Sequence, residues 1–150
     1  MKKIVFLVFL LAGASVFFLS CKKGPAPAPG AWITATVNGA PWTATSYNAI
    51  KAIYSGQPAI QISGAITSGK SRVSGLDLYI VNWNGKSSNF VIDTSKTLVA
   101  IYSNAYVPIN ASGGQIFISN YDTGNHIVQG TFSFTADSFA VTNGSFRLAY

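Results

Sequence analysis

The residues of this chain with the clearest potential for chemistry are one cysteine, one histidine and four aspartates. Cys21 follows an apolar run over residues 4–19 and directly precedes Lys22-Lys23. A thiol in that setting is hard to bury, so a buried cysteine that acts as a small apolar side chain is the weaker interpretation. The apolar run is shorter than the roughly 20 residues that cross a bilayer, although tilt or thinning leaves a membrane span open.

The segment that ends at Cys21 has the parts of a secretory signal, with a basic start at Lys2-Lys3, an apolar stretch and a small residue before the cut. Ser20-Cys21 resembles the site at which bacterial lipoproteins are cleaved and acylated. Phe18-Leu19 is bulkier than that pattern expects, and the looser form is similar to that of Bacteroidetes lipoproteins. The resemblance implies a signal peptide over residues 1–20 and an acylated cysteine whose partner is the membrane.

Residues 21–30 read CKKGPAPAPG, in which alternating proline and alanine favour an extended tether of roughly 3 Å per residue. We predict that this tether holds one domain, residues 31–150, on an outer membrane. Lys22-Lys23 lacks the acidic residues of some Bacteroidetes surface-export signals, which favours the periplasmic face over the cell surface. The domain keeps six scattered cations against four aspartates, with no basic stripe, so no nucleic-acid partner is predicted.

Catalytic groupings are sparse, and the chain is predicted not to be an enzyme. His126 is the only histidine and is expected to be an exposed imidazole beside a turn, and no Gly-x-Ser-x-Gly elbow is present. Asp122-Thr123-Gly124 matches the signature of aspartic proteases once, whereas those enzymes need two such aspartates, so turn chemistry is the simpler interpretation. One histidine and four separated aspartates supply neither a zinc nor a calcium site, and no cofactor is predicted.

Aromatic residues are the remaining candidates for binding. Three tryptophans and several tyrosines could line a ligand cavity or a sugar-stacking surface. Trp32 and Trp42 flank a hairpin turn and could instead pair across strands. Trp83 lies in the turn-like stretch Asn-Trp-Asn-Gly and is predicted to be an exposed contact residue.

The elements that must position these residues are strands. Short alternating runs of Val, Ile, Thr, Tyr and Phe are broken by Gly, Asn, Asp and Pro, and glutamate is absent. This pattern predicts an all-β domain, an antiparallel meander of about nine or ten strands preceded by a signal helix and the Pro-rich tether. Asn38-Gly39 predicts a hairpin turn, and Thr142-Asn143-Gly144 predicts another.

Short linkers indicate that consecutive strands pair as hairpins. A meander of this length leaves two exposed edges unless it closes, so we favour a barrel-like form over one flattened into a sandwich. Three glycines inside strand-like runs are predicted to mark bulges or bends that help the sheet curl: Gly64, Gly75 and Gly130.

Three segments carry a family resemblance. They are ATVNGAPWTA at Ala35–Ala44, GQIFISNYD at Gly114–Asp122, and GTFSFTA at Gly130–Ala136 followed by VTNGSF. Together they look like an uncharacterised Bacteroidetes lipoprotein family with a domain of unknown function. These motifs are turns and strands, so the resemblance implies a small secreted β domain on a lipid tether and brings no catalytic or binding residues.

The leading functional hypothesis is a non-enzymatic binding or accessory module of the cell envelope, anchored by Cys21, with an unknown protein or small-molecule partner. The second is a carrier of a small apolar ligand inside a barrel, which requires an internal cavity of several hundred Å³. The third is a structural or assembly role through an exposed edge strand, which requires an uncapped edge.

Overall fold

Strands form in this protein where runs of β-branched and aromatic residues lie between turn residues. The computed structural model describes residues 30–93 and 97–150, and all regular structure in that part of the chain is β. Its strands, in chain order, are β1 (Trp32–Val37), β2 (Ala40–Thr43), β3 (Ser46–Tyr54), β4 (Gln57–Ser68), β5 (Ser71–Val81), β6 (Ser88–Val91), β7 (Leu98–Asn104), β8 (Val107–Asn110), β9 (Gly113–Asp122), β10 (Ile127–Ala136) and β11 (Phe139–Ala149).

The strands form two antiparallel sheets packed as a sandwich. The six-stranded sheet has the order β2-β1-β11-β10-β9-β6, and the five-stranded sheet has the order β3-β4-β5-β7-β8. The all-β prediction is confirmed, but the barrel that we favoured is wrong. The chain crosses between the sheets after β2, β5, β6 and β8, and these crossings divide the meander into two open sheets. At each crossing, two consecutive strands lie in different sheets, so they do not pair as expected.

One core lies between the sheets and is filled by side chains from both. Ile33 and Phe146 come from the six-stranded sheet, Ile62 and Leu76 come from the five-stranded sheet, and all four are fully buried. Because side chains alternate along a strand, each of these residues has neighbours in sequence that face solvent. Removal of these apolar faces from water stabilises the sandwich at about 25 cal/mol per Å².

A hydrogen bond and a ring contact are among the contacts that join the two sheets. The indole Nε1 of Trp42 on β2 donates a buried hydrogen bond of 2.9 Å to Ser74 Oγ on β5. The rings of Tyr102 on β7 and Phe139 on β11 lie 4.7 Å apart between centroids. The sequence left open that Trp42 pairs with Trp32 across neighbouring strands. Instead, β2 directs Trp42 into the core, where its indole bonds to the other sheet.

The two Asn-Gly pairs adopt different structures. Asn38 and Gly39 have φ angles of 48° and 82° and form the predicted hairpin turn between β1 and β2. Asn143, with a φ angle of 51°, lies inside β11, so the turn predicted there is wrong. The register of β11 shifts at this point against both of its neighbours, β1 and β10. Hydrogen bonding on both sides holds the segment in the sheet, and the pair becomes a bulge instead of a turn.

One of the three glycine predictions is confirmed as an irregularity. The β9–β10 register shifts at Gly130, whereas Gly64 and Gly75 sit in regular stretches of the β4–β5 pairing. The predicted signal peptide, Cys21 and the predicted tether up to residue 29 lie outside the described residues. In the part that the structure describes, no helix is long and apolar enough to cross a membrane.

Candidate functional site

The outer face of the five-stranded sheet carries a connected group of polar side chains, which we call the Asp77 network: Gln61, Ser63, Arg72 and Asp77. Ser63 on β4 lies directly opposite Asp77 on β5 in the antiparallel register. Residues opposite each other point to the same face of a sheet, so both project outward while Ile62 and Leu76 enter the core. The two-residue alternation of side chains along β4 and β5 therefore places Ser63 and Asp77 on one surface.

Asp77 is the acceptor at the centre of the network. Ser63 Oγ donates to Asp77 Oδ1 at 2.5 Å, and Gln61 Nε2 donates to the same oxygen at 3.4 Å and to Ser63 Oγ at 2.9 Å. Arg72 Nη2 donates to Asp77 Oδ2 at 3.2 Å. With 17% of its side chain exposed, the aspartate is held mostly out of water in a fixed orientation.

Arg72 reaches Asp77 by lying flat over the sheet, and Gly75 makes that path available. A Cβ atom at residue 75 would lie 1.8 Å from Arg72 Nη2 and 2.2 Å from its Nε. The guanidinium therefore occupies the volume that a side chain at residue 75 would take. Its Nε is buried and has no hydrogen-bond partner among the described residues, so the arginine retains an unused donor.

Two tyrosines extend this surface along the sheet. Tyr79 follows Asp77 by two residues on the same face of β5, and its ring centroid lies 4.9 Å from that of Tyr54 on β3. Burial raises the pKa of Tyr79, and the negative charge of Asp77 raises it further. The hydroxyl of Tyr79 consequently stays protonated at physiological pH and can donate a hydrogen bond.

A depression of about 420 Å³ lies beside the network. Arg72, Asp77 and Ser63 bound it on one side, and Ser46 and Asn48 of the edge strand β3 bound it on the other. Paired charges, hydroxyls and a side-chain amide face this space, with the two tyrosine rings on the same face of the sheet. The polar groups can hydrogen-bond a hydroxyl-rich ligand in the depression. A ligand that extends beyond the lining residues along the same face would meet the rings of Tyr54 and Tyr79.

Trp83, the predicted exposed contact residue, is half-buried in a second cluster. Its Nε1 donates to the carbonyl of Lys86 at 2.7 Å, and its ring meets Tyr121 edge-on at 4.4 Å. Tyr121 in turn stacks on Tyr150 at 4.6 Å. Burial, together with a hydrogen bond to Tyr121, raises the pKa of Tyr150 to about 12. The turn containing Trp83 is thus packed against the end of the sandwich.

His126 and Asp122 occupy the turn between β9 and β10. His126 is exposed, as predicted, and its ring lies 5.8 Å from that of Tyr150. Asp122 accepts hydrogen bonds from the backbone of Gly124 and from the backbone and side chain of Asn125, and the Asn125 side chain contributes most to lowering the pKa of Asp122. The carboxylate closes a turn. Within residues 30–93 and 97–150, no three His, Cys, Asp or Glu residues are grouped to hold a metal ion.

In the sequence, Asp77 and Arg72 stand out only as two of the domain's scattered charges. Ser63, Asp77 and Tyr79 occupy outward positions in the alternating pattern of β4 and β5. To predict that Ser63 and Asp77 are neighbours also requires the β4–β5 register, which the sequence alone does not provide. Comparisons with protein-family models, with curated proteins and with solved structures found no match for this chain.

Proposed function

We propose that this protein is a lipid-anchored binding module of the bacterial cell envelope that holds a hydroxyl-rich ligand of the saccharide class on the outer face of its five-stranded sheet. The observation that carries the proposal is the half-buried Asp77 network beside two tyrosine rings. Cys21, acylated after removal of residues 1–20, anchors the module to the outer membrane, with the periplasmic face preferred. Membership of the Bacteroidetes lipoprotein family that the sequence resembles is part of the same proposal.

The arrangement of charges supports a neutral ligand over a strongly charged one. Arg72 and Asp77 largely neutralise each other, yet each keeps hydrogen-bonding capacity toward the depression. Sugars are bound by charged side chains and amides that donate and accept in a plane, and by aromatic faces that cover their C–H groups. The proposed action is binding without chemical conversion: the Ser63 hydroxyl that donates to Asp77 serves to orient the carboxylate, and the network contains no imidazole to act with it.

The alternative of an apolar ligand carried inside a barrel loses its support. The two sheets do not close into a barrel, and the space between them is occupied by buried Ile, Leu and Phe side chains. The depression beside Asp77 lies on an outer face, among polar groups. A ligand bound there would be recognised through hydrogen bonds more than through apolar burial.

The test uses the full-length lipoprotein in detergent micelles on an array of immobilised oligosaccharides. We expect binding to at least one glycan, and we expect Asp77→Ala to weaken it about tenfold or more, because a hydrogen bond to a charged group contributes about 1.5–3 kcal/mol. Asp122→Ala removes a carboxylate from a distant turn and should bind like the wild type. Absence of glycan binding, or binding equally retained by Asp77→Ala, contradicts the proposed site.

The anchor is tested separately in cells. An alkyne-bearing fatty acid should label the wild-type chain and leave Cys21→Ser unlabelled, with the variant released from the membrane fraction. Labelling of Cys21→Ser to the wild-type level would disprove the anchor without bearing on the glycan site.

A further inference from the structure

The four edges of the sandwich are unequal. The edge strands β2, β6 and β8 have four residues each, and β2 and β8 contain Pro41 and Pro108. Proline lacks the N–H that a pairing strand needs, and short edges offer little to pair with, so both features protect against edge-to-edge association. The fourth edge strand, β3, has nine residues and contains no proline.

The open edge of β3 also presents apolar side chains. β3 pairs with β4 alone in the described part of the chain, which leaves the backbone groups on its other side directed away from the sheet. Ile50 is 44% exposed and Ile53 is 71% exposed, whereas Ile60, Ile62 and Ile80 on the interior strands β4 and β5 are buried. A long edge with exposed isoleucines is the usual setting for addition of another strand.

We propose that β3 pairs with β3 of a second copy of this chain, antiparallel and about a two-fold axis at Ile50. This register is the one in which all nine residues of the strand find a partner. It places Ile50 against the partner's Ile50, so that two exposed isoleucines cover each other, and Lys51 against the partner's Ala49. An axis at Lys51 would oppose two lysines directly, and like charges at that position are destabilising.

Self-pairing in this register changes the binding face. Ser46, which bounds the depression beside the Asp77 network, lies opposite the partner's Tyr54, on the same outer surface. The partner therefore adds an aromatic ring beside a depression whose own β3 wall consists of Ser46, Tyr47 and Asn48. The two five-stranded sheets become continuous, and the two depressions lie on one surface.

Register-specific cysteine pairs test the proposal in native membranes, without purification. Asn48 lies opposite the partner's Ala52, where cysteines are within disulfide reach because opposed Cβ atoms are about 4.5–5.5 Å apart. Two copies of Asn48 are offset by four residues, or about 14 Å along the strand, and cannot be bridged. Cells that co-express Asn48→Cys and Ala52→Cys should give a disulfide-linked dimer on oxidation, and cells with either variant alone should not.

Matched controls separate β3 from the rest of the surface. Ile50→Cys, on the axis, should cross-link alone, whereas Val107→Cys on the β8 edge, which is similarly exposed, should not. The wild type controls for Cys21, whose acylated thiol cannot form a disulfide. Failure of Ile50→Cys and of the co-expressed pair to cross-link overturns the proposal, as does cross-linking of Ile50→Cys to a different protein. Glycan binding by a chain that does not cross-link would overturn the dimer and leave the proposed function intact.

Discussion

At the scale of single residues, two adjacent glycines have opposite tolerance for a side chain. Gly114 has a φ angle of 146°, and a Cβ there would lie 2.4 Å from the backbone oxygen of Ser133. Gly113 has no positive φ angle and no atom within 4 Å of its Cβ position. We expect Gly114→Ala to lower the free energy of unfolding by about 1–3 kcal/mol, through overpacking and backbone strain.

Gly113→Ala is the control for this effect and should change the free energy of unfolding by less than about 0.5 kcal/mol. Urea denaturation followed by tryptophan fluorescence measures both variants. Equal destabilisation by the two substitutions would mean that β9 tolerates no side chain at its start for a reason other than the approach of β10.

Tyr150 provides a residue-scale prediction for alkaline pH. Its pKa is raised to about 12 by burial, by its hydrogen bond to Tyr121 and by the negative charge of Asp122, while the unfolded chain has the ordinary value near 10. Between these values the folded state binds more protons than the unfolded state, so stability falls as pH rises from about 10 to 12. Below pH 10 the contribution is fully present.

Absorbance titration of tyrosinate near 295 nm checks this assignment by difference from Tyr150→Phe. Tyr121→Phe removes the hydrogen-bond partner and should bring the pKa of Tyr150 closer to 10. An unchanged high pKa in Tyr121→Phe would show that burial and the charge of Asp122 raise the pKa of Tyr150 without help from Tyr121.

Local turn chemistry is predictable from sequence only where no neighbouring strand competes. Asn38-Gly39 and Asn143-Gly144 have the same letters, and both asparagines adopt a positive φ angle. The first pair joins two strands, whereas the second is flanked by β1 and β10 and remains in the sheet as a bulge. In both pairs the asparagine has the positive φ angle that an Asn-Gly turn favours. The neighbouring strands decide whether the result is a hairpin turn or a bulge.

At the scale of elements, the hydrogen bond from Trp42 to Ser74 links an edge strand of one sheet to an interior strand of the other. Ser74→Ala leaves the buried indole N–H unpaired, which costs about 1–3 kcal/mol of unfolding free energy. Trp42→Phe removes the donor and also leaves a small gap. We expect the double variant to lose less stability than the sum of the two single variants, because no unpaired group remains.

A double-mutant cycle by thermal or urea unfolding measures this coupling. The control is Thr34→Ala with Ser145→Ala, whose hydroxyls form a part-buried contact of 3.2 Å within one sheet. If the losses of unfolding free energy for Trp42→Phe and Ser74→Ala are strictly additive, the hydrogen bond between the two side chains contributes no coupling energy.

Two edge strands, β3 and β8, are hard to predict from sequence because their burial does not alternate cleanly. β3 exposes side chains on both faces, and β8 is short and begins at an exposed valine. The interior strands β4, β5 and β10 show a clearer pattern because one side of each faces the core. Edge strands lack the second neighbour that imposes this contrast, so hydrophobic periodicity is a weak guide to them.

At the scale of the whole molecule, both sheets contribute to one core, so the domain should unfold in a single cooperative transition. Phe146 is fully buried at the centre, and Phe146→Ala should lower the free energy of unfolding by about 3–5 kcal/mol. Phe117 is 45% exposed on the outer face of the six-stranded sheet, and Phe117→Ala should cost less than about 1.5 kcal/mol. Urea unfolding followed by circular dichroism and by fluorescence should give coincident curves.

Non-coincident curves for the wild type would mean that the sheets unfold separately. A smaller loss for Phe146→Ala than for Phe117→Ala would contradict the burial of the two rings. Cooperativity of this kind could not be predicted from composition, because it depends on which strands cross from one sheet to the other.

The all-β class followed from the strand-like composition, but the sandwich did not, because the number of crossings is invisible in local sequence. The same limit applied to the candidate site. Ser63 and Asp77 are 14 residues apart, and only the β4–β5 register makes them neighbours. Arg72 reaches Asp77 only because residue 75 is a glycine and leaves room for the guanidinium. The spacing of residues in the sequence does not reveal this fit.

The pairing of the first strand with the last has a mechanical consequence. Trp32 lies opposite Arg147, and β1 and β11 run antiparallel from that point. Opposing forces applied at these two residues act at the same end of the strand pair, so the hydrogen bonds between β1 and β11 would open one after another, like a zipper, instead of shearing together. The domain should therefore yield at low force when pulled at these two points, and it should begin to yield at Trp32, the start of β1.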